Sequence, residues 1–154
     1  MPGISSARRY AQAVFKIALE KNQLDQWAGA LAQVNAVLRE PQVRQVLEHP
    51  GVSSRRKTAL VQQAFAGLDP LVRNLVSLLA KRGRLELARS LQAEYQRLLD
   101  SYRGVERATV VTAVELEEAE RQRIAAFLQA LSGKDVVITT QVRPAVLGGV
   151  VIKV

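Results

Sequence analysis

The sequence predicts a mainly α protein in two parts, a six-helix bundle over residues 1–104 and a small α/β domain over residues 105–154. Three observations predict it. Up to Gly104 apolar residues recur every three or four positions, the spacing of one helical face. Beyond Gly104 the runs turn β-branched, as in Ala108-Thr109-Val110-Val111-Thr112-Ala113-Val114, which is strand composition. The closing run Leu147 to Val154 carries Val, Leu and Ile on both parities, the pattern of a strand covered on both faces.

The first helix, from Ser6 to Glu20, lines Ala7, Tyr10, Ala11, Val14, Ile17 and Ala18 on one face, with Phe15 and Leu19 as a second apolar patch. The second runs from about Leu24 to Arg39, with Leu24, Trp27, Ala28, Leu31, Val34 and Leu38 in step and Asn22 as its cap. Pro41 opens a short third helix carrying Val43, Val46 and Leu47, which Pro50-Gly51 ends. Ser53 or Ser54 opens a fourth, with Leu60, Val61, Ala64 and Phe65 apolar.

Asp69-Pro70 caps and starts the fifth helix, proline taking the position whose missing N–H costs nothing. Leu71, Val72, Leu75, Val76, Leu78 and Leu79 cover more than one stripe of it, so it is either the buried centre of the bundle or keeps one face for a partner. Lys81 and Arg82 suit the negative end of its dipole, and Gly83 suits a left-handed cap. The sixth helix sets Leu85, Ala88, Leu91, Tyr95, Leu98 and Tyr102 in step and ends at Gly104. Short linkers among six helices make a compact bundle.

In the second part, Glu117, Glu118 and Glu120 sit in the first turns of a seventh helix, where carboxylates suit the positive dipole end. Ile124, Phe127, Leu128 and Leu131 supply its apolar face, and Gly133 closes it. Val136 to Val142 and Leu147 to Val154 are the remaining strands. A core of this size is marginal, because small domains bury a smaller share of their surface.

Composition excludes several classes. With 48% hydrophobic and 23% charged residues the chain is an ordinary globular one rather than a disordered one. It has no cysteine, so disulfide and thiolate chemistry are absent, and its first residues lack a secretory signal pattern. Its longest apolar stretch, Leu71 to Ala80, is far short of a bilayer span. The net charge of +8 lies wholly in the first part, where 16 Lys and Arg face 8 Asp and Glu, against 6 and 6 from Val105 onward. A basic bundle attracts acidic partners, nucleic acid or an anionic surface.

No catalytic constellation is present. Nucleophilic catalysis by serine needs a base, and the only histidine, His49, stands beside Pro50 in a helix-ending turn, as a surface residue does. The acidic cluster Glu115, Glu117, Glu118 and Glu120 satisfies a helix start rather than a metal, and Gly148-Gly149 precedes a strand where a phosphate loop would precede a helix. Arg55-Arg56-Lys57 and Lys81-Arg82-Gly83-Arg84 suit phosphates, yet none of the seven aromatics is interleaved with them as single-strand binders require. A basic helical nucleic-acid-binding protein is therefore the alternative rather than the main reading.

A bundle opened by Ser6-Ala7-Arg8-Arg9-Tyr10-Ala11-Gln12-Ala13-Val14-Phe15, with Arg82-Gly83-Arg84 after its fifth helix and Leu147-Gly148-Gly149-Val150-Val151-Ile152-Lys153-Val154 at its end, resembles the delta subunit family of F-type ATP synthase, whose mitochondrial members are the oligomycin-sensitivity-conferring proteins. The resemblance runs from about residue 5 to the last residue. It implies a non-enzymatic, cofactor-free subunit of the peripheral stalk on the cytoplasmic face of the bacterial plasma membrane, reaching the membrane only through the complex. It implies two partners, the N-terminal helix of an alpha subunit held in a groove between the first and fifth helices, and the C-terminal region of the b subunit held by the second part. It also implies that the family's further strand and C-terminal helix lie beyond this sequence, leaving the second domain incomplete. The first and fifth helices carry more apolar surface than one core stripe requires, as a helix-in-groove mode needs. The residues expected to face that groove are Tyr10, Ala13, Val14 and Ile17 with Val72, Leu75, Val76 and Leu79.

Overall fold

The computed structural model describes residues 2–146 and 149–154. The chain divides into two compact units, Met1–Leu99 and Asp100–Val154. The division falls inside the sixth helix, a few residues before Gly104.

The first unit is built from α1 (Pro2–Glu20), α2 (Leu24–Leu38), α3 (Pro41–Glu48), α4 (Ser54–Ala64), α5 (Pro70–Lys81) and most of α6 (Leu87–Arg103). Helix ends follow local chemistry. Ser53, not Ser54, caps α4 by accepting from the Arg56 N–H, and Asp69 caps α5 by accepting from the Leu71 N–H. Gly83, at φ +64°, closes α5 in the left-handed region while the Arg84 N–H donates back to the Leu79 carbonyl at 2.8 Å. Asn22 departs from its expected role. It does not cap α2, whose N-cap is Gln23, but takes φ +54° and lets the chain leave α1, a conformation asparagine tolerates better than most residues.

One apolar core runs through the bundle. Ala7, Ala11, Val14 and Ala18 of α1, Trp27, Leu31 and Val34 of α2, and Leu91 and Tyr95 of α6 are all buried in it. Alanines on α1 let neighbouring backbones approach closely, and larger side chains on α2 and α6 fill the space. The Tyr95 hydroxyl donates to the Leu24 carbonyl at 2.7 Å, so this buried ring keeps its polar end satisfied.

The second unit holds β1 (Val105–Thr112), α7 (Glu118–Ser132), β2 (Asp135–Val142) and β3 (Val150–Lys153). The sheet order is β2-β1-β3, with β1 parallel to β2 and antiparallel to β3. Glu117 and Glu120 form a reciprocal capping box at the start of α7, and Gly133 at φ +69° closes it. Ala108, Val110 and Val111 of the central strand are buried.

Two expectations for this unit do not hold. The pattern of the closing run alone suggests cover on both faces, but every residue of β3 is exposed and the strand lies at an edge of the sheet, in keeping with the expectation that its covering elements lie beyond this sequence. Its Leu147 and Gly148 lie outside the described residues. The apolar face of α7 is only half realised: Ile124 and Leu128 are half-buried, while Phe127 and Leu131 stand 60% and 70% exposed.

Candidate functional site

The candidate site is the part of α1 and α5 left over after the core has been filled. On α1, the four- and three-residue spacing of Ala7, Ala11, Val14 and Ala18 fixes the buried face, with none more than 5% exposed. One flank of that face meets α6: the Phe15 ring stands edge-on to Tyr95 at 5.9 Å between centroids, and Arg8 Nε lies 3.6 Å from Glu94. The opposite flank carries Ser6, Tyr10, Ala13 and Ile17. Tyr10 and Ile17 pack half-buried against the core, and Ala13 is exposed. Ser6 and Tyr10 line a shallow pocket of about 280 Å³ with Arg82, Arg84 and Leu87, so this flank begins beside the end of α5.

On α5 the same logic separates inner from outer residues. Val72, Val76, Leu79 and Ala80 are inside the core at 2% exposure or less. Leu71 and Leu75 are half-buried and Leu78 is 37% exposed, so an apolar flank remains outside. Ser77, on the other side of the buried stripe, is buried with its hydroxyl unpaired among the described residues.

The eight residues expected to face the groove therefore fall into two groups. Val14, Val72, Val76 and Leu79 are core residues, because the 3.6-residue period carries them round to the inside of the bundle. Tyr10, Ala13, Ile17 and Leu75 retain accessible surface. Leu71 and Leu78, which the expected set leaves out, also retain accessible surface. The signal for Leu78 was its position one residue before Leu79, which turns it away from the Val72-Val76-Leu79 stripe.

Elsewhere polar groups serve structure. His49 Nδ1 accepts the Gly51 N–H at 2.9 Å, which pins the turn after α3. No group of acidic or histidine side chains among the described residues has metal-binding geometry. Asp100 receives two hydrogen bonds from Arg107, at 2.6 and 3.2 Å. Chiefly through that hydrogen bonding, the pair holds the Arg107 guanidinium above its ordinary pKa, so it stays cationic. No described helix is long and apolar enough to cross a membrane.

Residues 6–154 match the family described as ATP synthase delta (OSCP) subunit. The chain belongs to that family. An ATP synthase subunit delta from Dehalococcoides mccartyi is 35% identical over 143 residues, covering 93% of this chain and 79% of that protein. Another, from Shouchella clausii, is 37% identical over 151 residues, covering 96% of this chain and 83% of its own length. A chain in a structure described as the Toxoplasma gondii mitochondrial ATP synthase hexamer superposes with a TM-score of 0.60 at 27% identity, covering 89% of this chain and 78% of that one. These comparisons do not favour the nucleic-acid alternative.

Proposed function

We propose that this delta-family chain is a non-catalytic connector in the peripheral stalk of an F-type ATP synthase, holding the catalytic head against rotor torque while protons drive synthesis. In this reading the flank of Tyr10, Ala13 and Ile17 on α1, with Leu71, Leu75 and Leu78 on α5, receives the N-terminal amphipathic helix of an alpha subunit. The second unit takes the C-terminal region of the b subunit. The chain works on the cytoplasmic face of the bacterial plasma membrane and reaches it only through the complex. The observation that carries the reading is the apolar surface of α5 left outside a core already closed by Val72, Val76 and Leu79. A partner helix laying apolar residues along such a strip is a common recognition mode. The basic charge of the bundle adds attraction for an acidic partner.

Fully burying about four such side chains from water would contribute roughly 6–12 kcal/mol gross, at about 1.5–3 kcal/mol each, and the half-buried state of most of them leaves only part of that for the partner. Association and ordering cost about 4–15 kcal/mol, so one groove alone holds modestly and a second attachment raises the overall avidity. The test is co-assembly: the purified chain should join a catalytic head and b subunit into one complex in size-exclusion chromatography. A head that retains b equally well without the chain would overturn the connector role.

A further inference from the structure

A cleft of about 550 Å³ lies in the first unit away from the α1 and α5 flanks, between α2, α3 and α6. Clefts that hold small molecules commonly have this size. Its floor is an ordered amide pair. Asn35 Nδ2 donates to Gln92 Oε1 at 2.7 Å and to the Leu31 and Ala88 carbonyls at 3.1 and 3.2 Å. Because Gln92 Oε1 is occupied as an acceptor, its own N–H groups remain, and they have no protein partner among the described residues. Two guanidiniums, Arg39 and Arg89, line the same cleft, and neither has an ion-pair partner among the described residues. A third, Arg44, is engaged by Glu48 at 2.9 Å. Leu38 and Leu85 supply apolar wall, and Glu86 supplies an acceptor on the rim.

We propose that this cleft binds a small organic phosphate ester, with Arg39, Arg89 and the Gln92 amide on the phosphate and the leucine wall with Glu86 on a body that bears hydroxyl or amino donors. Two guanidiniums and a fixed amide donor match the several acceptor oxygens of a phosphate, and a guanidinium can meet two of them at once. Glu86 opposes a bare anion and favours a ligand that also donates hydrogen bonds. The site shares no element face with the partner flank, so its failure leaves the connector reading untouched.

The test titrates the full chain with adenosine monophosphate, with inorganic phosphate, and with vesicles containing phosphatidylglycerol, following the Asn35 and Gln92 side-chain amides by NMR. Adenosine monophosphate should shift both amides saturably and bind more tightly than inorganic phosphate. Arg39→Ala with Arg89→Ala should weaken it about tenfold or more, consistent with losing charge-assisted contacts. Both arginines are exposed, so the circular-dichroism melting curve should stay in place. Arg39→Lys with Arg89→Lys should recover only part of the affinity, because the fork geometry is lost. The proposal is overturned by any of three results: no saturable shift at up to about 10 mM ligand, phosphate binding as tightly as the ester, or unchanged affinity in the double alanine variant. Vesicle binding without binding of the free ester would also overturn it, in favour of a lipid surface.

Discussion

Leu78 and Leu79 are neighbours in sequence with opposite surroundings, and truncating each to alanine separates fold from recognition. Leu79 is 2% exposed in the core, so Leu79→Ala loses both transfer energy and packing and should cost about 2–5 kcal/mol of stability. Leu78 keeps 37% of its surface in water. If a partner helix covers that remainder, it contributes about 0.6–1.1 kcal/mol, that fraction of the 1.5–3 kcal/mol expected for burying a leucine fully. Leu78→Ala should therefore weaken the partner about three- to sixfold. Its effect on stability should be much smaller than that of Leu79→Ala, because far less packing is lost. Urea denaturation followed by circular dichroism reads the first quantity, and calorimetric titration with a peptide of the alpha-subunit N-terminus reads the second. Equal destabilisation by the two variants, or undiminished peptide affinity in Leu78→Ala, would refute the division between core and surface on α5.

Three further substitutions test the packing. Tyr95→Phe removes the donor to the Leu24 carbonyl and should cost about 1–2 kcal/mol in urea denaturation, with the helical circular-dichroism spectrum unchanged. Gly83→Ala meets no atom within 4 Å but forces a side chain into φ +64°, so the melting curve should report a loss of about 1–2 kcal/mol from backbone strain alone. Ser77→Ala deletes a buried hydroxyl that has no partner and should leave stability unchanged or raise it by about 1 kcal/mol in the same assay; a clear loss would mean the hydroxyl is satisfied in solution.

Much of the bundle was legible because its signals are local. Asp69-Pro70, Gly83 and Gly133 mark helix ends through backbone chemistry that acts within a few residues, and each does so in the structure. The Ala7-Ala11-Val14-Ala18 stripe was legible for the same reason, since its spacing alone aligns one face. What sequence pattern could not resolve is rotation about a helix axis. On α5 six apolar residues spread over more than one stripe, and which of Leu78 or Leu79 faces inward depends on where α2 and α4 pack, a tertiary fact. Asn22 misled because asparagine suits both an N-cap and a left-handed exit. The second unit was harder to read, because apolar side chains such as Phe127 and Val151 mark an element type without saying what covers them.

If the connector reading holds, α1 and α5 present a partner-binding face distinct from the core they help to close. Amide and methyl NMR of the full chain, titrated with a peptide of the alpha-subunit N-terminal helix, tests it most directly. Saturable shifts should be largest at Tyr10, Ala13, Ile17, Leu75 and Leu78, with the core methyls of Val34 and Leu91 nearly unmoved. Shifts concentrated on α3 or α7, or no binding at high micromolar peptide, would contradict it.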